Sequence, residues 1–534
     1  MKNQIKYAFF AVSLLIFAAP STQAQMNLTP PPLPTPRGEA AYRQLKETGQ
    51  PGARAQAFKA AREKNDAREQ PAATLTSAIS PVSEVRKLWA SDANDYKWLG
   101  GSVSISGNTA IAGAHGDRFG SGSPKGAAYI FIRTGTTWTE QQKIAASDGA
   151  EGDNFGGDVA ISGDTAIVGA WGADVNGNFN QGAAYVFVRS GTTWTQQQKI
   201  VAPDGGFEHY FAGNGVAIDG DTILVCGAAA GYVFTRSGSV WSLQQKLTVA
   251  NNSLGTGVAI EGDTAVISAA GENSGAGAIY VFVRSGGVWT QQQRLTTSDG
   301  APGDDLRKVD ISGDTIAASA PRHDVGANAD QGSVYVFVRN GTVWTEQQKL
   351  TATDGRAGDW LNTVSISGDT IVVGSPNRDL HPIFSSHGAA YVFTRSGTTW
   401  TQLQELRASD GAPGDIFGQG AAIDGNKIIV GAMFATVGTA GGTGAAYVFI
   451  SKVSVAGRVT TAFGNGVKNA IVQMKLADNT TLTTRTSSFG YYRFDDVEAD
   501  QTVIIRVPSK IYTFPQQTIN ITGNLTGVDF QAQP

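Results

Sequence analysis

Residues 82–92 read VSEVRKLWASD, and residues 138–148 read WTEQQKIAASD. Both have the ending of a longer unit, with Lys87-Leu88 standing where Lys143-Ile144 stands. The first copy has no head before it. A tail without a head at one end of a repeat calls for a head without a tail at the other. The tyrosine of GAAYVFVRSG recurs at Tyr129, Tyr185, Tyr232, Tyr280, Tyr335, Tyr391 and Tyr447, which marks seven units. A tryptophan follows each of the first six by nine residues, from Trp138 to Trp400, but Ala456 stands where the seventh should be. The seventh unit therefore lacks its last strand, and 82–88 is placed beside AAYVFIS of that unit. Such closure removes two exposed strand edges that would invite aggregation. The alternative is an open array with a stray end strand.

Spacings of 47 to 56 residues suit a four-stranded propeller blade. In the second unit the strands are GDVAIS, TAIVGA, AAYVFVR and WTQQQKI, labelled A to D. B and C are nearly continuous in apolar residues, as expected of strands covered on both faces; D alternates like an outer strand. A–B and C–D are joined by short turns, SGDT and RSGTT, with glycine supplying a positive φ. The D–A and B–C connections are long, so all the long loops crowd one face. The reading is all-β: a seven-bladed β-propeller over 82–452 closed by an N-terminal strand, plus a small C-terminal β-sandwich over 453–534.

Composition agrees. The chain has 534 residues, too many for one core, with 66 glycines and 16% charged residues. Net charge is −4 without a basic stripe, which argues against a nucleic-acid partner. Residues 1–24 read as an export signal: Lys2 and Lys6, the apolar run YAFFAVSLLIFAA, then STQA with small residues before a cut. An uncleaved anchor is the alternative. No membrane span is expected after cleavage, and the location expected is secreted or cell-surface. Residues 25–81 are proline-rich, then charged, and read as a linker, helical or disordered. The lone Cys226, inside TILVCGA, reads as a buried inert thiol.

The units resemble the FG-GAP repeat of the integrin α-chain propeller, most closely its bacterial exported subtype. The FG stands at Phe155-Gly156 and Phe417-Gly418, weakened at Leu99-Gly100 and Leu254-Gly255, and lost at Asp305-Leu306 and Trp360-Leu361. The GAP stands at Gly113-Ala114-His115, Gly169-Ala170-Trp171, Ser319-Ala320-Pro321 and Gly374-Ser375-Pro376. The resemblance implies a Ca²⁺ loop between the first two strands, but a turn such as SGDT cannot supply six to eight oxygens. That metal is not carried over. The tail, VAGRVTTAFGNGVKNAIVQMKL followed by TSSFGYYRFDDV, resembles the carboxypeptidase regulatory-like fold, which implies a non-catalytic appendage.

No HExxH, P-loop or nucleophile-elbow motif occurs, and no catalytic residue, metal or cofactor is assigned. DVNGNFN places Asp174, Asn176, Asn178 and Asn180 at alternate positions, better read as an Asx-rich turn than a Ca²⁺ loop. All five histidines fall in long loops: His115, His323, His381 and His387 in B–C, His209 in D–A. Ligand-face candidates are these five with Asp117, Trp171, Asp174, Asn176, Asp324, Arg378 and Asp379. The repeated SDGAxGD (Asp148 and Asp153, Asp410 and Asp415) reads as loop-shaping, or else as an acidic rim. The function expected is an exported, non-enzymatic binding or adhesion protein offering variable loops to an unknown protein or glycan. An enzyme with its site at the centre of that face and a structural spacer are the alternatives.

Overall fold

The computed structural model describes residues 81–118, 124–213, 215–227, 230–249, 254–255, 257–378, 386–499 and 501–533. Residues 1–24, read above as an export signal, and nearly all of the 25–81 stretch read as a linker lie outside them, as do Asp379 and His381. The described residues belong to one compact unit. It is all-β: a seven-bladed propeller closed by an N-terminal strand, followed by a small sandwich.

Each blade is an antiparallel sheet in sequential order A-B-C-D. In blade 2 these are Phe155–Ser162, Thr165–Ala170, Ala183–Ser190 and Thr193–Ile200. Strand B is buried along its whole length, whereas D is exposed or half-buried apart from its Trp and final Ile. The A–B turn bends at Gly163 (φ 56°) and the C–D turn at Gly191 (φ 61°). Blade 7 is completed from the other end of the chain. Val82–Leu88 pairs antiparallel with Ala445–Thr460, setting Leu88 against Ala446, Lys87 against Tyr447 and Ser83 against Ile450. The strand lies beside AAYVFIS, where the sequence placed it, with a bulge at Val85.

The motif halves meet across the seams between blades. The glycine of FG has φ 92° at Gly156 and 98° at Gly418, a conformation open chiefly to glycine. The glycine of GAP lies against it from the preceding blade: a Cβ on Gly113 would sit 2.0 Å from the Gly156 carbonyl oxygen, and one on Gly374 2.0 Å from that of Gly418. Gly431 of blade 7 meets the Gly100 carbonyl of blade 1 in the same way, at 1.9 Å, so the ring closes on the contact that builds it. Where the FG is lost, serine replaces the partner glycine and its hydroxyl donates across the seam, Ser268 to the Arg307 carbonyl and Ser319 to the Asn362 carbonyl.

The outer strands are stitched by the repeated glutamines. Gln141 accepts the Trp194 indole N–H at 2.9 Å, while Gln142 pairs with the Trp194 backbone. The pattern recurs from blade to blade up to Trp400. On the short-turn face an arginine ends strand C. Arg189 bonds Asp164 of its own A–B turn and Thr109 of the previous blade, and Arg236, Arg284, Arg339 and Arg395 repeat this. Blade 1 has Asn108 in place of the aspartate, and there Arg133 reaches Glu498 of the sandwich at 3.4 Å.

Strand Ala445–Thr460 runs without a break from blade 7 into the sandwich. Its second half pairs with Tyr491–Glu498 and, in parallel, with Phe530–Gln531. A second sheet has the order 481–485, 471–475, 501–506, 517–521. Val455, Val459, Val472, Met474, Tyr492 and Phe494 fill the space between them. Because the shared strand leaves blade 7 at the end opposite its B–C loop, the sandwich hangs from the short-turn face and leaves the long-loop face open.

Candidate ligand-binding face

The long-loop face is built on a repeated polar post. The strand-C tyrosine, the strand-D lysine and the first aspartate of the D–A loop meet in most blades. In blade 7 Lys87 lies 2.7 Å from Asp410, whose other oxygen accepts the Tyr447 hydroxyl at 2.8 Å. Lys199–Asp148 and Lys349–Asp299 repeat the pair. Blade 4 substitutes Arg294 and Glu272. Burial alone would raise the Asp410 carboxyl; hydrogen bonds from Lys87 and Tyr447 outweigh it and hold the group below its ordinary value. Within SDGAxGD the second aspartate closes the loop: Asp153 accepts the Ala150 N–H and Asp415 the Ala412 N–H, each at 2.8 Å.

Several residues predicted for the face are committed to such internal bonds. Asp117 is buried and takes Lys97 at 2.7 Å, Lys143 at 2.8 Å and the Tyr129 hydroxyl at 2.8 Å. Burial opposes ionisation here, but the bonds from Lys143, Lys97 and Tyr129 prevail and lower its pKa. Arg378 is buried between Asp354 (2.6 Å) and Asp359 (3.0 Å). Asp174 accepts the Asn180 N–H at 2.8 Å, and Asp324 accepts that of Asp330 at 2.9 Å. Asn176 takes φ 52° at the tip of a small turn closed by Val175 and Asn178. DVNGNFN is thus an Asx-closed turn.

The four described histidines sit in separate blades, each with its own neighbours. His115 packs on Trp98, ring centroids 5.2 Å apart, and burial lowers its pKa. His209 lies 3.2 Å from the Tyr232 hydroxyl and is likewise lowered by burial. His323 is 3.0 Å from the Ser333 hydroxyl and 3.5 Å from Asp299. His387 is buried, its carbonyl accepting the Phe417 N–H at 3.0 Å. Among the described residues no group of three or more His, Cys, Asp and Glu has a metal-holding arrangement.

What the face does present is aromatic. In blades 5 and 6 the FG position falls on Leu306-Arg307 and Leu361-Asn362, one residue later than the sequence reading placed it, because Gly277 and Gly332 pack on Leu306 and Leu361 as Gly126 packs on Phe155. The residue before this position is left-handed in six blades: Trp98 (φ 60°), Asn154 (55°), Tyr210 (49°), Asp305 (66°), Trp360 (55°) and Ile416 (49°). Asn and Asp accept this conformation readily, but a bulky side chain there is strained by about 1–3 kcal/mol. Each aromatic one lies on the B–C loop of the preceding blade. Trp98 meets Phe434 at 6.2 Å, Tyr210 meets Trp171 at 6.2 Å, and the Arg322 guanidinium lies 5.5 Å from the Trp360 ring. Trp171 also covers Gly157 and Gly213, where a Cβ would come within 2.7 and 2.9 Å of it. Farther out, exposed Phe179 and Phe207 pair at 5.9 Å, and Tyr96 stands exposed before Trp98. Sequence reasoning found Trp171 but missed Trp98, Tyr210, Trp360 and Phe434. For Trp98, Tyr210 and Trp360 the one signal was a bulky residue just before the FG position; Phe434, in a B–C loop, had none.

At the axis the A strands of all seven blades enclose a cavity of about 260 Å³, with Asp158 and Lys308 among its lining. Asp158 accepts the Ser102 hydroxyl at 2.7 Å and the Val216 N–H at 3.1 Å, tying three blades together.

A family model described as FG-GAP repeat matches residues 82–131, 138–187, 194–240, 241–282, 289–337, 344–393 and 400–449. No curated protein matches the chain.

Proposed function

The chain belongs to the FG-GAP repeat family, and we propose that it is an exported, non-enzymatic binding or adhesion protein whose long-loop face takes a protein or glycan ligand. The observation that carries this reading is the left-handed aromatic set. Trp98, Tyr210 and Trp360 occupy a position where Asn154 and Asp305 show the unstrained choice. Strain retained in bulky, partly exposed side chains on one face is explained by use of that face. The flanking Arg322, His115 and Asn154 add hydrogen-bonding groups beside the rings, the combination by which a shallow face orients a ligand. Location at the cell exterior is supported by the export-like start of the sequence. A carboxypeptidase regulatory-like class for the C-terminal sandwich is supported by its alternating core, Val472 and Met474 with Tyr492 and Phe494.

The test is a glycan-array and pull-down screen with the whole chain and with W98A, W171A and W360A. Ligands retained by the wild type should be lost by at least two of these variants with unchanged melting temperature. Capture that all three variants keep would overturn the reading.

A further inference from the structure

The sandwich is polarised along its length. Lys452 pairs with Glu498 where the shared strand leaves blade 7, and Arg458 pairs with Tyr491 at the other end, about 20 Å farther along the strand. The near end is docked and carries both signs of charge: Asp478 accepts the Thr136 hydroxyl at 3.0 Å, Glu498 meets Arg133, and Lys452 and Lys475 stand at the same end. Midway, Arg493 pairs with Asp495, beside Asp496.

Three loops make the far end. Residues 461–470 follow the shared strand, 486–490 precede Tyr491, and 507–516 join the strands Gln501–Arg506 and Gln517–Ile521. They hold one another. Gly466 packs against the Phe489 carbonyl, Gln531 donates to the Ala462 carbonyl at 3.1 Å, and Gln533 N–H to that of Thr513 at 2.9 Å. Each loop carries a large apolar side chain in solvent: Phe463 is 88% exposed, Phe489 69% and Ile511 82%. Apolar side chains so exposed, gathered at one end of a module with a complete core, require a function. The charges there are one-sided. Arg458, Lys468, Arg485, Arg506 and Lys510 surround the three loops, against Asp529 alone.

We propose that this end of the sandwich is a docking tip for an anionic lipid surface. Protruding apolar side chains on separate loops enter the boundary between headgroups and acyl chains, and a basic collar binds anionic headgroups. A flat protein partner would be met by a contiguous patch rather than by projecting loop tips, and a soluble polyanion would engage the cations without needing the apolar three. Docked this way, the protein turns its long-loop face away from the bilayer. The tip and the ligand face lie at opposite ends of the unit, so neither role depends on the other.

The experiment is co-sedimentation of the full chain with phosphatidylcholine vesicles, with and without phosphatidylglycerol. Binding is expected to the anionic vesicles, at least roughly tenfold weaker to the neutral ones, and to fall with salt. F463S/F489S/I511S should lower vesicle binding at least roughly tenfold without changing the melting temperature. K468E/K510E should lower it by a similar factor. No binding to anionic vesicles would overturn the proposal, as would binding that the triple serine variant keeps. Equal retention of wild type and triple variant on dextran sulfate beads, with no vesicle preference, would assign the tip to polyanions instead. A dimer in sedimentation velocity that the triple variant abolishes would assign it to a second copy. W98A, which touches only the long-loop face, should leave vesicle binding unchanged.

Discussion

Lys87 of the closing strand stands opposite Tyr447 of the last blade, its ammonium 5.4 Å from the ring centroid and 2.7 Å from Asp410. The two ends of the ring thus share one of the polar posts that recur around the long-loop face. A chain beginning after Leu88 should leave Ala445–Ile450 with a bare edge. Such a truncation should aggregate in size-exclusion chromatography. Leu88→Ala, at a fully buried site, should cost about 2–4 kcal/mol in denaturant unfolding. A truncated chain as soluble and stable as the full one would refute the closure.

The seam contacts predict unequal costs for equivalent-looking substitutions. Gly431→Ala forces a Cβ to within 1.9 Å of the Gly100 carbonyl oxygen, so two blades must separate. Gly107→Ala also enters a positive φ, but into open space. Thermal melts should show a loss of about 1–2 kcal/mol for Gly107→Ala, from backbone strain alone, and clearly more for Gly431→Ala. Equal losses would mean that the seam is soft.

Asp310, on strand A of blade 5, should give the protein a distinct pH response. It accepts the Ser365 hydroxyl and the Ile366 N–H, each at 2.8 Å. Burial still dominates and pushes its carboxyl up to about 6. Between pH 4 and 6 the folded state therefore binds more protons than the unfolded state, and this group's contribution to stability falls as pH rises. Asp310→Asn removes the titration. The stability of wild type relative to Asp310→Asn should drop by about 1–3 kcal/mol from pH 4 to pH 7. A difference constant with pH would contradict the assignment.

The joint between propeller and sandwich rests on Arg133–Glu498 and Thr136–Asp478. Arg133→Ala leaves the half-buried Glu498 carboxylate with Lys452 alone beside it, and burial already raises the Glu498 pKa. Calorimetry should show the sandwich unfolding before the propeller, destabilised by about 1–3 kcal/mol. A single unshifted transition would show that the shared strand alone fixes the joint.

Trp360→Asn should separate stability from use. Asn relaxes in the left-handed region, so the melting temperature should hold or rise by an amount worth about 0.5–1 kcal/mol, while ligand capture falls. A marked loss of stability would mean that the indole on Arg322 is structural.

The ring was legible because a propeller writes its period into the chain: seven tyrosines, six tryptophans and one displaced strand favoured a closed ring over an open array. Contacts between repeats were less legible. Nothing within a unit says that Gly113 lies against Gly156, or that Ser319 compensates for the missing FG of blade 6. The change from AAYVFIS to the alternating VSVAGRVT reads, in the sequence, as the start of a new segment. It marks a strand leaving two-sided burial for one-sided burial, and the strand itself continues. On the face, Asp117 and Arg378 were recognisable as loop charges, but their partners Lys97 and Asp359 are set by folding. Trp98, Tyr210 and Trp360 escaped notice because local propensity argues against the backbone they adopt.

The shared strand Ala445–Thr460 also fixes how the molecule bears force. If the far end of the sandwich is held while the long-loop face is pulled, tension runs lengthwise along this strand. Its backbone pairs with Val82–Leu88 and Lys427–Ala432 are then loaded side by side in shear, and cannot open in succession like a zip. An attachment through the sandwich therefore puts blade 7, where the two ends of the ring are joined, directly in the line of load.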